Sequence, residues 1–216
     1  LFRSTLTNTT TGCSVSAGTV VAVNALPTLN ASNNGPYCEG STITLSANGT
    51  GGTAYAWSGP NEYTANVANP TIANSTTANA GTYNVTLTNP TTGCSVEAST
   101  IVNVNANPVV TASNTGAYCA GQTIELSAVS ADATSYAWSG PNGYTSAEQN
   151  PTIANAATNN GGSYTVVATN ANNCTAQAST VVTVNANPTA NASNTGAYCE
   201  GQTITLQTTA TGTYVW

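Results

Sequence analysis

Six cysteines stand at two repeating positions, and outside a metal site the chemistry open to such a set is disulfide formation. Cys38, Cys119 and Cys199 each follow a tyrosine and recur at a near-constant spacing. Cys13, Cys94 and Cys174 form a second series with the same spacing. A persistent disulfide requires an oxidising compartment outside the cytoplasm. Two other residue sets could do chemistry. The seven acids (Glu39, Glu62, Glu97, Glu125, Asp132, Glu148, Glu200) could in principle supply a carboxylate pair for glycoside hydrolysis. The loop Trp57-Ser58-Gly59-Pro60-Asn61-Glu62-Tyr63, repeated from Trp138 to Tyr144, could offer aromatic faces to a sugar.

Composition removes most alternatives. Only 4% of residues are charged, the formal charge is −6, histidine is absent and Arg3 is the sole basic residue. Nucleic acid is an unsuitable partner, because neutralising phosphates takes lysine and arginine. Histidine-based metal sites and serine or cysteine triads lack their imidazole. The acids never cluster as calcium-binding loops require. Lysine-to-asparagine crosslinks lack their lysine. Carboxylate catalysis is weakened by drift between copies, since Glu62 becomes Gly143 and Glu97 becomes Gln177. No catalytic, cofactor or metal residue is expected, and the chain is not read as an enzyme.

The cysteines belong to a longer self-similarity, which must be recognised before any local pattern. Tyr37-Cys38-Glu39-Gly40-Ser41-Thr42-Ile43-Thr44-Leu45 returns at Tyr118–Leu126 and at Tyr198–Leu206. Aligning the copies gives two complete units, 26–106 and 107–187, joined through Asn105-Ala106-Asn107-Pro108. A period of about 80 residues is the length of one small domain rather than of a single supersecondary unit. Residues 1–25 match only the end of a unit and 188–216 only its beginning. Together these flanks fall short of one unit, so joining them head to tail would not restore a full domain without the missing middle. A stretch of a longer array is the expectation, and the lack of a signal peptide or membrane span in this window is then uninformative.

Low charge with abundant Thr, Asn, Ala and Ser raises the possibility of disorder, but the apolar pattern opposes it. Ile43 and Leu45, Tyr55 and Trp57, Tyr83, Val85 and Leu87, and Ile101 to Val104 form runs rich in β-branched and aromatic residues between Gly, Pro and Asn clusters. The expected fold is all-β, a tandem array of immunoglobulin-like β-sandwiches. Strands are expected near 28–33 (A), 41–47 (B), 54–58 (C), 64–75 (the middle strands), 82–88 (F) and 94–105 (G). Gly81-Thr82-Tyr83, repeated as Gly162-Ser163-Tyr164, is the setting of a tyrosine corner at the start of strand F. Trp57, Trp138 and Trp216 take the buried position on strand C, with Tyr83 and Tyr164 also in the core. The usual inter-sheet disulfide is missing, because its positions read Ala47 and Val85, or Ala128 and Val166.

The cysteines must therefore sit elsewhere, Cys38 before strand B at one pole and Cys94 opening strand G at the other. Cys94 with Cys119 would span strand G and the next strand A, both extended, and is set aside. Two pairings stay open. One is within a unit, Cys38 with Cys94 and Cys119 with Cys174, which must cross strands about 20 Å long against a Cα separation below about 7 Å. The other is a cross-junction staple, Cys38 with Cys174, leaving Cys13 and Cys199 to pair outside the window.

The strings at 37–45, Trp57-Ser58-Gly59-Pro60-Asn61, Ala80-Gly81-Thr82-Tyr83 and Gly93-Cys94-Ser95 resemble the Ig-like and PKD-like repeats of very large secreted adhesins of Bacteroidota, including SprB-type gliding adhesins. Asn173 departs from the pattern, standing where the other copies have Gly93 and Gly12. The resemblance implies export through the type IX pathway, attachment at the outer membrane and action outside the cell as a long filament in adhesion or gliding. The expected partners are neighbouring repeats, with surface glycans or other filaments as further candidates. A carbohydrate-binding module is the alternative function. Against it, Trp57 is expected in the core and Gly-Pro-Asn is ordinary turn chemistry.

Overall fold

The computed structural model describes residues 1–208, in which all the extended regular structure is strand, with one-turn 3-10 segments at Thr77–Asn79, Pro141–Gly143 and Thr158–Asn160. The chain divides into two compact units between Ala106 and Asn107. Unit 1 opens with β1 (Phe2–Thr7) and β2 (Ser14–Thr19), an antiparallel hairpin running from Phe2 opposite Thr19 to Thr7 opposite Ser14. Every residue of that hairpin is exposed.

The sandwich of unit 1 follows as β3 (Thr28–Asn33), β4 (Tyr37–Cys38), β5 (Ile43–Thr50), β6 (Ala54–Gly59), β7 (Tyr63–Ala65), β8 (Thr71–Ile72), β9 (Gly81–Thr88), β10 (Ser95–Val102) and β11 (Val104–Asn105). One sheet has the order β3-β5-β8 and the other β10-β9-β6-β7. The first strand is split between two pairings. Its β3 part pairs antiparallel with β5, and its β4 part pairs parallel with β11 at the end of the last strand. This is the A–A′ switch of immunoglobulin-like sandwiches, and it lies where strands A and G meet. Asn33 crosses that seam, its Nδ2 donating to Thr100 Oγ1 at 2.7 Å and to the Ile101 carbonyl at 2.8 Å.

The strands form where side chains alternate between a dry face and a wet one. In β5, Ile43, Leu45 and Ala47 are buried while Thr44 and Ser46 are not, and in β9 the buried set is Tyr83, Val85 and Leu87. With Tyr37, Trp57, Val102 and Val104, all of these but Leu87 build one apolar cluster between the sheets. Ala47 and Val85 are buried in place of the inter-sheet disulfide. The middle strands expected over 64–75 reduce to β7 and β8. Between them Ala68 and Pro70 use their carbonyls to accept from Ala47 N and Leu45 N, but Pro70 has no N–H to return, so a continuous ladder cannot form there.

Unit 2 repeats the plan with β12 (Thr111–Asn114), β13 (Ala117–Cys119), β14 (Ile124–Val129), β15 (Ala133–Gly140), β16 (Tyr144–Ser146), β17 (Thr152–Ile153), β18 (Gly162–Asn170) and β19 (Thr175–Asn185). Its sheets are β12-β14-β17 and β13-β19-β18-β15-β16. Here β19 runs unbroken through the part that β10 and β11 divide. A last hairpin joins β20 (Ala192–Asn194) to β21 (Leu206–Thr208). Trp216, the third tryptophan expected in a core, lies outside the described residues.

Candidate functional site

Each unit concentrates its specific interactions at its two poles and the seam between strands A and G. The tyrosine corner is formed by the residues that the sequence pattern marks. Tyr83, fully buried, donates its hydroxyl proton to the Asn79 carbonyl at 2.9 Å, and Tyr164 does the same to Asn160 at 2.9 Å. The corner leaves no room above the ring: a Cβ on Gly59 would lie 2.4 Å from Tyr83 Cδ1, and one on Gly140 equally close to Tyr164.

Trp57 and Trp138 are buried, with Nε1 donating to the Val67 carbonyl at 3.1 Å and to the Gln149 carbonyl at 3.3 Å. Tyr63 and Tyr144, at the far end of the same loop, are half-buried and meet Tyr83 and Tyr164 edge to face at ring-centroid distances of 5.5 Å. The aromatic rings of the Trp-Ser-Gly-Pro-Asn-x-Tyr loop thus pack inward. The turn itself has left-handed residues at both central positions, Asn61 (φ 55°) and Glu62 (φ 56°) in unit 1, Asn142 (φ 56°) and Gly143 (φ 72°) in unit 2. This backbone matches the twist of the hairpin.

A second tyrosine site goes beyond the sequence expectations. The Tyr37 hydroxyl accepts from Asn34 N at 3.0 Å and Thr44 N at 3.3 Å while donating to the Thr44 carbonyl at 3.2 Å. Tyr118 repeats this with Thr115 and Glu125, and Tyr198 with Thr195 and Thr205. One phenol thereby fixes the kink between the two parts of strand A against the start of strand B. The signal lies in the threefold Tyr-Cys repeat, in which the tyrosine recurs as faithfully as the cysteine.

Of the cysteines, Cys38 and Cys174 are disulfide-bonded, whereas Cys13, Cys94, Cys119 and Cys199 carry free thiols. Neither within-unit pair therefore forms, and the strand path explains why. Cys38 lies opposite Asn105 at the end of the last strand, while Cys94 precedes the start of β10, with the whole of β10 between them. At about 3.3 Å per residue the two are more than roughly 30 Å apart, far beyond the reach of a disulfide. Unit 2 repeats this, with Cys119 opposite Asn185 and Cys174 in the turn before β19. Each sandwich thus carries one cysteine at each pole. The turn at the second pole is organised by an asparagine: Asn89 Oδ1 accepts from Thr91 N at 3.0 Å, and Asn170 Oδ1 from Asn172 N at 3.0 Å and Cys174 N at 3.1 Å. Asn173 adopts φ 61°, close to the 74° of Gly93, so the departure at that position keeps the turn.

Electrostatics supply little. Burial holds the phenols of Tyr63, Tyr83, Tyr144 and Tyr164 above the ordinary tyrosine value of 10.0. A concavity of about 280 Å³ on the β12-β14-β17 sheet is lined by Ser, Thr and Asn side chains together with Leu126, and Glu125 is its one charged side chain. Among the described residues no three His, Cys, Asp or Glu side chains gather as a metal site.

Both units are immunoglobulin-like β-sandwiches, a fold that typically carries no catalysis. The family model described as "Ig-like domain CHU_C associated" matches residues 106–188. Among solved structures, the chain is similar to an I-band fragment of titin at 16% identity, covering 87% of this chain and 77% of that one with a TM-score of 0.43. It is also similar to three N-terminal domains of the Highly Immunogenic Outer Capsid protein of bacteriophage RB49, at 20% identity over 87% of this chain and 70% of that one, TM-score 0.38. A third is the N-terminal four Ig domains of Dscam1, at 14% identity over 83% of this chain and 53% of that one, TM-score 0.30. No curated protein sequence matches the chain.

Proposed function

We propose that the chain is part of an extracellular, cell-surface filament of tandem immunoglobulin-like domains, serving as a long stiff stalk in bacterial adhesion or gliding. The supporting observation is the polar placement of the cysteines: two near-identical sandwiches, each with one cysteine beside the end of its last strand and one in the turn at the opposite pole. In this reading Cys38 and Cys174 pair with one another as a staple across the junction, and neighbouring repeats are the principal partners. The junction is short, with Asn105 ending β11 and the buried Pro108 following closely. Proline fixes its own φ and biases its predecessor toward an extended backbone, which leaves little slack. Outer-membrane attachment in a Bacteroidota-type cell envelope belongs to the same proposal, carried by the resemblance of the repeat strings.

The carbohydrate-binding reading gains no support, since Trp57 and Trp138 are buried and hydrogen-bonded within their own units. Imaging single molecules of native material tests the stalk: straight rods with a regular repeat are expected, and freely bending beads would reject it. Binding of the isolated chain to a glycan array would favour the alternative.

A further inference from the structure

We propose that Asn142 is a modification site to which the fold directs spontaneous deamidation, and that its conversion releases the β15–β16 turn from the tyrosine corner of unit 2. Deamidation begins when the backbone nitrogen that follows an asparagine attacks the side-chain amide carbon. A side chain on that following residue crowds the attack, so glycine, which has no Cβ, is the most permissive neighbour. The chain has four Asn-Gly pairs: Asn34-Gly35, Asn48-Gly49, Asn142-Gly143 and Asn160-Gly161. Reaction at any of them needs a disengaged glycine N–H and room for the asparagine backbone to rotate.

Three of the four pairs are held. Gly35 N donates to Asn33 Oδ1 at 2.9 Å, and Pro36 stiffens the chain directly after it. Asn48 and Gly49 lie within β5, opposite Asn30 and Leu29 of β3, and a Cβ on Gly49 would stand 2.6 Å from the Thr28 carbonyl oxygen. Gly161 N donates to the Thr158 carbonyl at 3.2 Å. Asn160 is fixed twice, its Oδ1 accepting from Ala157 N at 2.8 Å and its carbonyl from the Tyr164 hydroxyl at 2.9 Å. Asn142 and Gly143 are instead both exposed, at the tip of the β15–β16 hairpin. Their φ values of 56° and 72° make a type I′ turn. Its closing bond runs from Tyr144 N to the Pro141 carbonyl, so the turn makes no use of Gly143 N. A Cβ on Gly143 would meet nothing within 4 Å, which leaves the tip space to rearrange.

In the reaction Gly143 N gives its proton to hydroxide and forms a bond to Asn142 Cγ. The Cγ–Nδ2 bond breaks, and ammonia leaves with a proton taken from water. A second water opens the cyclic imide at one of its two carbonyls, giving aspartate or isoaspartate. Either product carries a carboxylate in place of the amide. In the unmodified chain Asn142 Nδ2 donates to the Asn159 carbonyl at 2.8 Å, tying the hairpin tip to the segment Thr158–Asn160 that anchors Tyr164. An ionised carboxylate only accepts, so conversion sets one acceptor against another and the tie is lost. Unit 1 is spared, because Glu62 follows Asn61 at the same turn.

The test incubates the full chain in warm, mildly alkaline buffer, with a parallel sample unfolded in guanidinium chloride, and follows both by chymotryptic digestion and mass spectrometry. Cleavage after Trp138 and Tyr144 leaves Asn142 as the only asparagine of its peptide. In the folded chain that peptide should lose its amide ahead of those carrying the other three pairs, faster as pH rises and with isoaspartate among the products. In the unfolded sample the four pairs should convert at similar rates. Gly143→Ala should slow the conversion of Asn142. Another Asn-Gly pair reacting first in the folded chain overturns the proposal, as does an Asn142 that stays intact while the unfolded sample converts. Asn142→Asp supplies the aspartate product directly and should lower the denaturant midpoint of unit 2. An unchanged midpoint overturns the release of the turn.

Discussion

Single side chains hold the corners of this fold, and their contributions can be separated because the units repeat them. The Tyr83 hydroxyl makes one hydrogen bond, to the Asn79 carbonyl, and Tyr164 makes the equivalent bond to Asn160. Tyr83→Phe keeps the ring and removes only that bond, so it should destabilise unit 1 by about 1 kcal/mol in a urea melt, with Tyr164→Phe matching it in unit 2. Glu62 holds φ 56°, where Gly143 stands in the other unit at 72°. A Cβ in left-handed backbone costs about 1–2 kcal/mol, a penalty glycine escapes. Glu62→Gly should therefore stabilise unit 1 by about 1 kcal/mol and Gly143→Glu should lower unit 2 by a similar amount, read by calorimetry. The buried phenols set a pH limit of a definite sign. Their folded pKa values lie above 10.0, so the folded state holds these protons more tightly than the unfolded chain. That stability is complete below the unfolded value and is lost as pH rises through the folded ones. Thermal melts between about pH 7 and about pH 12 should show a decline in the alkaline limb accompanied by tyrosinate absorbance. Unfolding that precedes tyrosinate formation would assign the decline elsewhere.

At the level of elements, the sequence exposed what periodicity and spacing encode and hid what a backbone turn decides. Strands B, C, F and G were legible from Ile43 and Leu45, Tyr55 and Trp57, Tyr83–Leu87 and Ile101–Val104, because side-chain alternation reports a two-faced strand directly. Gly81-Thr82-Tyr83 located the corner, since few other sites need a glycine so near an inward tyrosine. The A–A′ switch was not legible. Its register rests on parallel pairing of Tyr37 with Val104 and Cys38 with Asn105, too short to produce a period. The free or bonded state of each cysteine was equally hidden, because it depends on where strand A leaves its sheet. Close packing between strands C and F was likewise invisible in Gly59 and Gly140, which resemble ordinary turn glycines. Gly140→Ala would drive a Cβ into the Tyr164 ring at 2.4 Å. Overpacking of that kind costs about 1–3 kcal/mol, so the variant should unfold earlier in denaturant than Gly143→Ala, which has nothing within 4 Å of its new methyl. If the two variants unfold together, strain at the left-handed Gly143 rather than the ring contact limits unit 2.

At the scale of the whole molecule the question is what a pair of small cores gains from its cysteines. A sandwich of about 80 residues has limited apolar area to bury, and domains of this size commonly depend on a covalent staple. In the proposed filament the staple joins Cys38 to Cys174, which stand in different units far apart along the chain, and closes a long loop in the unfolded state. Loss of a native disulfide from small secreted domains typically costs about 2–5 kcal/mol, and longer loops tend toward the upper end in the chain-entropy account. Reduction should therefore lower the melting temperature markedly while each core, which contains no disulfide of its own, still unfolds cooperatively. An unchanged melt in dithiothreitol would show that the bond contributes nothing to stability. The connectivity can be read independently of the melt. Arg3 is the only trypsin site, so chymotrypsin is the suitable protease, cutting at aromatic and leucine residues that separate Cys38, Cys94, Cys119 and Cys174 onto different peptides. A peptide pair carrying Cys38 and Cys174 is expected from the unreduced chain, together with unmodified Cys94 and Cys119. A pair carrying Cys38 and Cys94 would reject the junction staple, and with it the main physical reason for expecting a rod.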